Sequence, residues 1–252
     1  MKQLTVAVEV IRKWPILVWL PLATVAGSSA LAVLMMRTVA DHLTPDPVVG
    51  PILFWPVIWF LAGPAVASGY NAVVGAAAAG DGAPGLGQFW RNLGTYYWRF
   101  VGGGLLMGLA LSPLGVALGL SSTYSTPLHN PLYLVSFSLL QAFAEVWLAV
   151  VVLSGARTIA GIRGAFDTLR RRFADYAVPL GIAVTLAIVS QGVTFSATPP
   201  LDLEGARVLL ADVPSLLPAL LISLVVGVVS AVVRVAVFWI YRADREGLTA
   251  GD

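Results

Sequence analysis

Residues 132–153 read LYLVSFSLLQAFAEVWLAVVVL, an apolar run with a single charged residue, Glu145. A helix needs about 20 such residues to cross the hydrocarbon core of a bilayer. The side chains do not alternate between polar and apolar, as they do in the strands of membrane barrels. The run therefore predicts a transmembrane helix that carries one carboxyl group into the membrane.

The composition of the whole chain agrees with this prediction. Of its 252 residues, 58% are hydrophobic and 11% are charged, and the mean hydropathy is +0.85. Soluble domains carry about 25% charged residues, so these values are typical of an integral membrane protein. The chain has no cysteine, which excludes disulfides, thiolate metal ligands and a cysteine nucleophile.

Six apolar runs in the chain are long enough to span a membrane. They cover approximately residues 14–36, 52–79, 100–120, 132–153, 177–197 and 216–240. Unpaired peptide groups are costly in lipid, so these spans are expected to be helices. We expect one all-α domain over residues 1–252, a polytopic bundle in the cell membrane. The first run is expected to be retained rather than cleaved as a signal peptide, because its apolar stretch continues to Met36.

The basic residues are distributed unevenly between the two sides of the predicted bundle. Of the 15 lysines and arginines, 12 fall at the termini or in the second and fourth loops. Only Arg37 and Arg207 fall on the opposite side, and Arg234 lies within the last span. Because cytoplasmic loops of membrane proteins carry the excess of basic residues, both termini are predicted to be cytoplasmic.

Two cytoplasmic segments have the pattern of short amphipathic helices. In residues 85–99, GLGQFWRNLGTYYWR, aromatic and aliphatic side chains recur every three or four positions. Residues 161–176, GIRGAFDTLRRRFADY, repeat this pattern. We predict that both lie in the membrane interface as helices, with the apolar face toward the membrane. The alternative is that they are extensions of the spans that follow them.

Arginines on these two segments are candidate contacts for anionic lipid head groups or for a cytoplasmic partner. They are Arg91, Arg99, Arg163, Arg170, Arg171 and Arg172. The candidate protein partners are another membrane subunit and a cytoplasmic ATPase.

Four polar residues are expected to form a cluster inside the bundle. Glu145 and Arg234 lie roughly 12 and 9 Å below the cytoplasmic ends of their spans, at about 1.5 Å per residue. Asn71 matches the depth of Glu145, and Gln141 is one helical turn from it. An isolated charge in a membrane helix is costly, so we predict an ion pair between Glu145 and Arg234.

Three interpretations of this cluster follow from the sequence. The cluster is a polar binding site or proton-linked gate, or it is a structural pair that fixes the register of two helices. In the third interpretation, Arg234 extends to the lipid head groups and Glu145 is protonated.

Several segments resemble a known group of proteins. They are Gly69–Tyr70, the turn at 80–87, the run QFWRNLGTYYWRFVGGGLL at 88–106 and the segment GIRGAFDTLRRRFADYAVPL at 161–180. The chain is similar, over about residues 65–190, to an uncharacterised group of six-helix prokaryotic membrane proteins. That group includes the membrane domain attached to some glycerophosphoryl diester phosphodiesterases. The resemblance implies fold and topology, and it does not extend to the phosphodiesterase activity, which belongs to a separate soluble domain.

The sequence offers little support for catalysis. His42 and His129 fall in different predicted outer loops, without the spacing of metal ligands, and neither belongs to a catalytic motif. The basic residues flank the spans rather than form a nucleic-acid-binding patch. We expect a non-enzymatic protein without cofactor, an accessory or assembly subunit of a membrane complex or a lipid-interacting protein. The alternative is a transport component, either a small permease or the membrane subunit of an ATP-driven transporter.

Overall fold

The computed structural model of the chain describes residues 2–23, 49–80, 83–120, 131–197 and 213–247, and these residues form helices joined by turns, without a strand. The helices are α1 (Lys2–Lys13), α2 (16–23), α3 (Val49–Ala79), α4 (Leu86–Arg91), α5 (Tyr97–Leu120), α6 (Pro131–Ser154), α7 (Thr158–Ala197) and α8 (Val213–Arg245). The predicted all-α fold is therefore confirmed over this part of the chain.

Three segments in the described part are long and apolar enough to cross a membrane. They are Pro131–Ser154, Thr158–Val189 and Leu224–Arg245. The predicted spans at 52–79 and 100–120 coincide with α3 and α5. Residues 24–36 of the first predicted span and both histidines lie outside the described residues. The protein is a helical protein with the properties of a membrane protein.

Helices α3, α6 and α8 pack against one another and end on the same side of the bundle. Near that end, Arg242 of α8 donates a hydrogen bond to the carbonyl of Ala78 in the last turn of α3, at 2.6 Å. Arg245 donates to the carbonyl of Leu153 in the last turn of α6, at 2.7 Å. The last carbonyls of a helix have no partner within it, and cationic side chains are favoured beside them. The two arginines therefore join the C-terminal ends of three parallel helices.

The buried core lies in the same half of the bundle. Its largest fully buried side chains include Val73, Val74, Val146, Val151, Val237 and Phe238. At the opposite ends of α6 and α8, and along α5, large apolar side chains such as Leu109, Leu139 and Leu221 are exposed. Extended apolar surface of this kind marks contact with another protein or with a membrane.

Helix α1 is an amphipathic segment outside the two predicted amphipathic helices. Ala7 is fully buried, whereas Glu9 and Arg12 are exposed. The helix ends at Lys13, the chain turns at Trp14 and Pro15, and α2 begins at residue 16. The predicted span beginning at residue 14 therefore follows a helix that already starts at Lys2.

Contacts of α2 fix the position of α1. The hydroxyl of Tyr70, whose ring lies beside Arg234, donates to the carbonyl of Leu17 at 3.0 Å. A side-chain carbon of Leu22 lies 3.0 Å from the point that a Cβ on Gly227 would occupy, so α2 runs antiparallel to α8. Helix α1 precedes α2 and also packs on α8, which places α1 beside the last turns of α8.

The first predicted amphipathic helix is shorter than expected. Helix α4 ends at Arg91, and residues 92–96 form a turn before α5 begins. The Ser68 hydroxyl specifies this turn, because it donates to the carbonyl of Asn92 at 2.5 Å and accepts from the Tyr96 N–H at 2.9 Å. The prediction of a continuous helix over 85–99 is wrong at residues 92–96. Phe89, one of the aromatic side chains in that segment, is buried.

The second predicted amphipathic helix is the first part of α7. The helix continues to Ala197, and its backbone is non-helical at Arg172, with φ −132° and ψ 35°. An ion pair of 2.7 Å between Arg172 Nε and Asp244 Oδ1 ties this kink to α8. Ala165 and Thr168 are buried, while Phe166 is exposed. The segment therefore packs one face on the bundle and is joined directly to the following span.

Trp147 of α6 occupies a notch formed by glycines on two neighbouring helices. A Cβ on Gly103 of α5 would overlap the Trp147 ring, and a Cβ on Gly161 of α7 would lie 3.0 Å from Trp147 Nε1. The same indole N–H donates to the carbonyl of Thr158 at 3.4 Å. Helices α5 and α7 can approach α6 this closely only because neither glycine carries a side chain.

We expect Gly103→Ala to destabilise the fold and the adjacent Gly104→Ala to leave it unchanged or slightly more stable. Overpacking of a filled core costs about 1–3 kcal/mol. A Cβ on Gly104 meets no atom within 4 Å, so Gly104→Ala gains only helix propensity. Thermal unfolding in detergent compares the two variants with the wild type, and equal melting temperatures would contradict close packing at Trp147.

Candidate functional site

Glu145 on α6 and Arg234 on α8 form a bidentate ion pair. Arg234 Nε donates to Glu145 Oε2 at 2.6 Å, and Arg234 Nη2 donates to Glu145 Oε1 at 2.5 Å. Two charge-assisted hydrogen bonds of this geometry hold guanidinium and carboxylate in one plane. The ion pair is present as predicted, and Arg234 does not extend alone to the head groups.

Tyr70 of α3 covers one side of the pair. The Arg234 Cζ atom lies 5.4 Å from the centroid of the Tyr70 ring, which is the arrangement of a cation–π interaction. The Tyr70 side chain is itself held by its hydrogen bond to Leu17. Tyr70 is not among the predicted cluster residues, although it precedes Asn71 and lies at the same predicted depth. An aromatic ring in an apolar span is ordinary, so its sequence gives no sign of this role.

The other side of the pair faces a cavity between α6, α7 and α8. Its volume is about 350 Å³. Polar and charged groups on its wall come from Gln141, Glu145, Ser230 and Arg234, and the rest of the wall is apolar. Ligand sites in proteins span about 300–1,000 Å³ and combine apolar walls with a few polar groups. The cavity is therefore the candidate site of this protein.

The two remaining members of the predicted cluster lie in different surroundings. Gln141 lines the cavity one turn of α6 from Glu145. Asn71 is fully buried, its amide donates to the carbonyl of Ala67 at 2.8 Å, and its Oδ1 has no hydrogen-bond partner. The described residues show no hydrogen bond between Asn71 and the ion pair. The structure therefore brings together Gln141, Glu145 and Arg234, with Tyr70 in the place expected for Asn71.

The electrostatics of the pair make it a neutral unit with unused hydrogen-bonding capacity. The side chains of Arg234 and Glu145 are 23% and 16% exposed, so most of their hydration is lost. Mutual pairing offsets this cost only if the geometry is good, as it is here. The pair uses Nε and one N–H of Nη2, which leaves the two N–H groups of Arg234 Nη1 outside it.

The six candidate cytoplasmic arginines divide into two groups. Arg91, Arg163, Arg170 and Arg171 are exposed. Arg99 stacks over the Tyr96 ring at 5.5 Å, and Arg172 is bound by Asp244. Arg172 therefore holds the kink of α7, and its contact with lipid head groups or a partner stays a prediction. Arg172 and Asp244 are 72 positions apart in the sequence, so no local sequence pattern predicts their ion pair.

A second cavity lies at the C-terminal ends of α3, α6 and α8. Its volume is about 560 Å³, and Arg242, Arg245 and Glu246 line it together with Gln88 and Tyr96. Both arginines already donate to helix C-terminal carbonyls, and Arg242 Nε also binds Glu246 Oε1 at 2.7 Å. Their charge is thus matched by a carboxylate and by the negative ends of two helix dipoles. The two arginines of this cavity therefore connect helix ends, and the cavity does not have the electrostatics of an anion-binding site.

Comparisons with known proteins provide no direct guide to this site. No family model, curated protein or solved structure matches the chain. The function is therefore inferred from the ion pair, its cavity and the exposed surface of the bundle.

We expect a double-substitution cycle at Glu145 and Arg234 to be strongly non-additive. Glu145→Gln and Arg234→Gln each leave one charge without its partner, whereas the double variant leaves none. Contacting charged residues show coupling energies of about 0.5–3 kcal/mol. In detergent micelles, the double variant should therefore lose less unfolding free energy than the sum of the losses in the two single variants.

Arg91→Gln provides the control for this cycle. Arg91 is exposed, and its Nε bonds within its own helix to the carbonyl of Gly87 at 3.2 Å. Its replacement should change the unfolding free energy by no more than about 0.5 kcal/mol. Additivity of the two single substitutions at the ion pair would show that the pair contributes no coupling.

Proposed function

We propose that the chain is a six-span membrane protein with both termini in the cytoplasm, which acts without catalysis as a lipid-interacting accessory subunit. The three apolar segments, the agreement of α3 and α5 with predicted spans, and the excess of basic residues at the termini and in two loops support this topology. In this orientation, the joined ends of α3, α6 and α8 face the cytoplasm.

A set of exposed aromatic and basic side chains on α4, α5 and α7 carries the proposal. Trp90, Trp98, Phe166 and Phe173 are 61–77% exposed. The exposed arginines Arg91, Arg163, Arg170 and Arg171 lie beside them in the sequence. Aromatic rings favour the interface of a bilayer, and arginines next to them are attracted to anionic head groups. We call these eight residues the arginine–aromatic belt.

The state of Glu145 supports a non-catalytic role. Both carboxylate oxygens accept hydrogen bonds from Arg234. These two charge-assisted hydrogen bonds hold the carboxylate against Arg234, and each of its oxygens retains a lone pair that can accept a further hydrogen bond from a ligand. The carboxylate is therefore arranged for binding and for structure.

A transport component is the second candidate, and the cavity beside the ion pair favours it. Transporters carry polar sites between helices within the membrane. If this chain is the membrane subunit of a transporter, the exposed arginines of α7 are the docking site for a cytoplasmic ATPase, because they project from the bundle.

Arg170→Gln combined with Arg171→Gln should reduce the retention of anionic lipid. Each basic residue near an anionic surface contributes about 1 kcal/mol of attraction, so the loss of two should lower retention about thirtyfold. Native mass spectrometry of the protein released from phosphatidylglycerol-containing nanodiscs measures the retained lipid.

Arg37→Gln combined with Arg207→Gln is the matched control, since the same number of charges is removed from the side predicted to be extracellular. This variant should retain lipid like the wild type. Equal losses of retained lipid in the two double variants would contradict the proposed role of the arginine–aromatic belt. Copurification of a stoichiometric ATPase that depends on Arg170 and Arg171 would instead support the transport component.

A further inference from the structure

The cavity beside the ion pair presents both signs of charge to the same small volume. Glu145 and Arg234 line it together, so a lone anion in the cavity faces the carboxylate and a lone cation faces the guanidinium. A ligand that carries both charges avoids this conflict. Its anion meets the guanidinium of Arg234, whose Nη1 lies outside the pair, and its ammonium meets the Glu145 carboxylate.

The level of the pair in the bundle points to the cytoplasmic half of the membrane. Arg234 contacts Tyr70, and Tyr70 bonds to Leu17, four residues after Lys13. Helix α1, with exposed Glu9, Arg12 and Lys13, lies beyond this level along the last turns of α8. Three exposed charged side chains on one short helix lie in water or among head groups rather than in hydrocarbon. The ion pair therefore lies in the cytoplasmic half of the membrane, roughly 9–12 Å below the predicted cytoplasmic ends of its spans at about 1.5 Å per residue.

Apolar surface leads from the cavity away from the cytoplasmic side of the membrane. Leu186 and Val226 line the cavity. Farther along the same helices, Val189 of α7 and Leu221 of α8 are exposed, as is Leu139 of α6. These side chains lie toward the membrane interior in the proposed orientation. A ligand with a charged end at Glu145 and Arg234 therefore finds exposed apolar side chains on all three helices for a hydrocarbon end.

We propose that this cavity binds the head group of a zwitterionic phospholipid that carries a primary ammonium group, with the phosphate at Arg234 and the ammonium at Glu145. The acyl chains then lie on the apolar surface between α6, α7 and α8. This assignment rests on the proposed membrane orientation. The site is separate from the arginine–aromatic belt, which attracts anionic lipids. A primary ammonium donates hydrogen bonds to a carboxylate, which a quaternary ammonium does not.

The test is native mass spectrometry of the full chain released from nanodiscs made of equal amounts of phosphatidylethanolamine and phosphatidylglycerol. The wild type should retain one phosphatidylethanolamine molecule. Ala144→Leu places a larger side chain on the cavity wall and keeps the ion pair, and it should abolish this retention. Ala110→Leu, an equal change at an exposed position of α5, should leave retention at the wild-type level.

The variant with both Glu145→Gln and Arg234→Gln preserves shape and removes both charges. It should lose the preference for phosphatidylethanolamine over phosphatidylglycerol, and it provides the readout if Ala144→Leu does not fold. Unchanged preference in this variant, or unchanged retention in folded Ala144→Leu, would overturn the lipid site. So would displacement of the retained lipid by soluble phosphoethanolamine, because that result assigns the cavity to a free zwitterion.

Failure of this site is distinguishable from failure of the proposed function. Phosphatidylglycerol retention depends on Arg170 and Arg171 of the belt, whereas phosphatidylethanolamine retention depends on the cavity. Suppose that Arg170→Gln with Arg171→Gln lowers phosphatidylglycerol retention, while Ala144→Leu leaves phosphatidylethanolamine retention unchanged. This result would support the belt and overturn the cavity assignment.

Discussion

Helices α3, α6 and α8 run parallel, so the partial negative charges of their C-terminal carbonyls collect at one end of the bundle. An apolar chain has few groups that can offset this charge, and here α8 supplies them. Arg242 binds the end of α3 and Arg245 binds the end of α6. Eleven positions before Arg245, Arg234 binds Glu145 on α6. These contacts fix both the direction and the register of the three central helices, and the remaining elements pack around them.

The peripheral helices are placed by steric notches and by single polar contacts. Trp147 fits against Gly103 and Gly161, and this fit sets the approach of α5 and α7 to α6. Ser68 holds the turn that separates α4 from α5. In a membrane, apolar side chains gain little by leaving lipid for protein, so close packing and interhelical hydrogen bonds determine how helices associate. The combination seen here follows that rule.

The sequence predicted the elements that hydropathy alone determines. The long apolar runs correspond to α3, α5, α6, α7 and α8. Glu145 and Arg234 form an ion pair, as expected because an isolated charge in a membrane helix is costly. Helix α1 was missed because its residues are too polar for a span, although Leu4, Ala7 and Ile11 already follow a helical period. The Arg172–Asp244 pair and the role of Tyr70 depend on how distant helices meet, which no local pattern contains.

The ion pair alone does not account for the space beside it. Two apolar residues at positions 145 and 234 would pack without the desolvation cost of two charges, and replacing buried ion pairs in this way is often neutral or stabilising. Register, moreover, is already constrained by Arg245 and Leu153. A pair kept only for structure is expected to be enclosed on all sides, as Tyr70 encloses it on one. The opposite side instead opens into a cavity with further polar groups at Gln141 and Ser230. Charges that remain accessible at this cost are better explained by a ligand of matching charge than by stability.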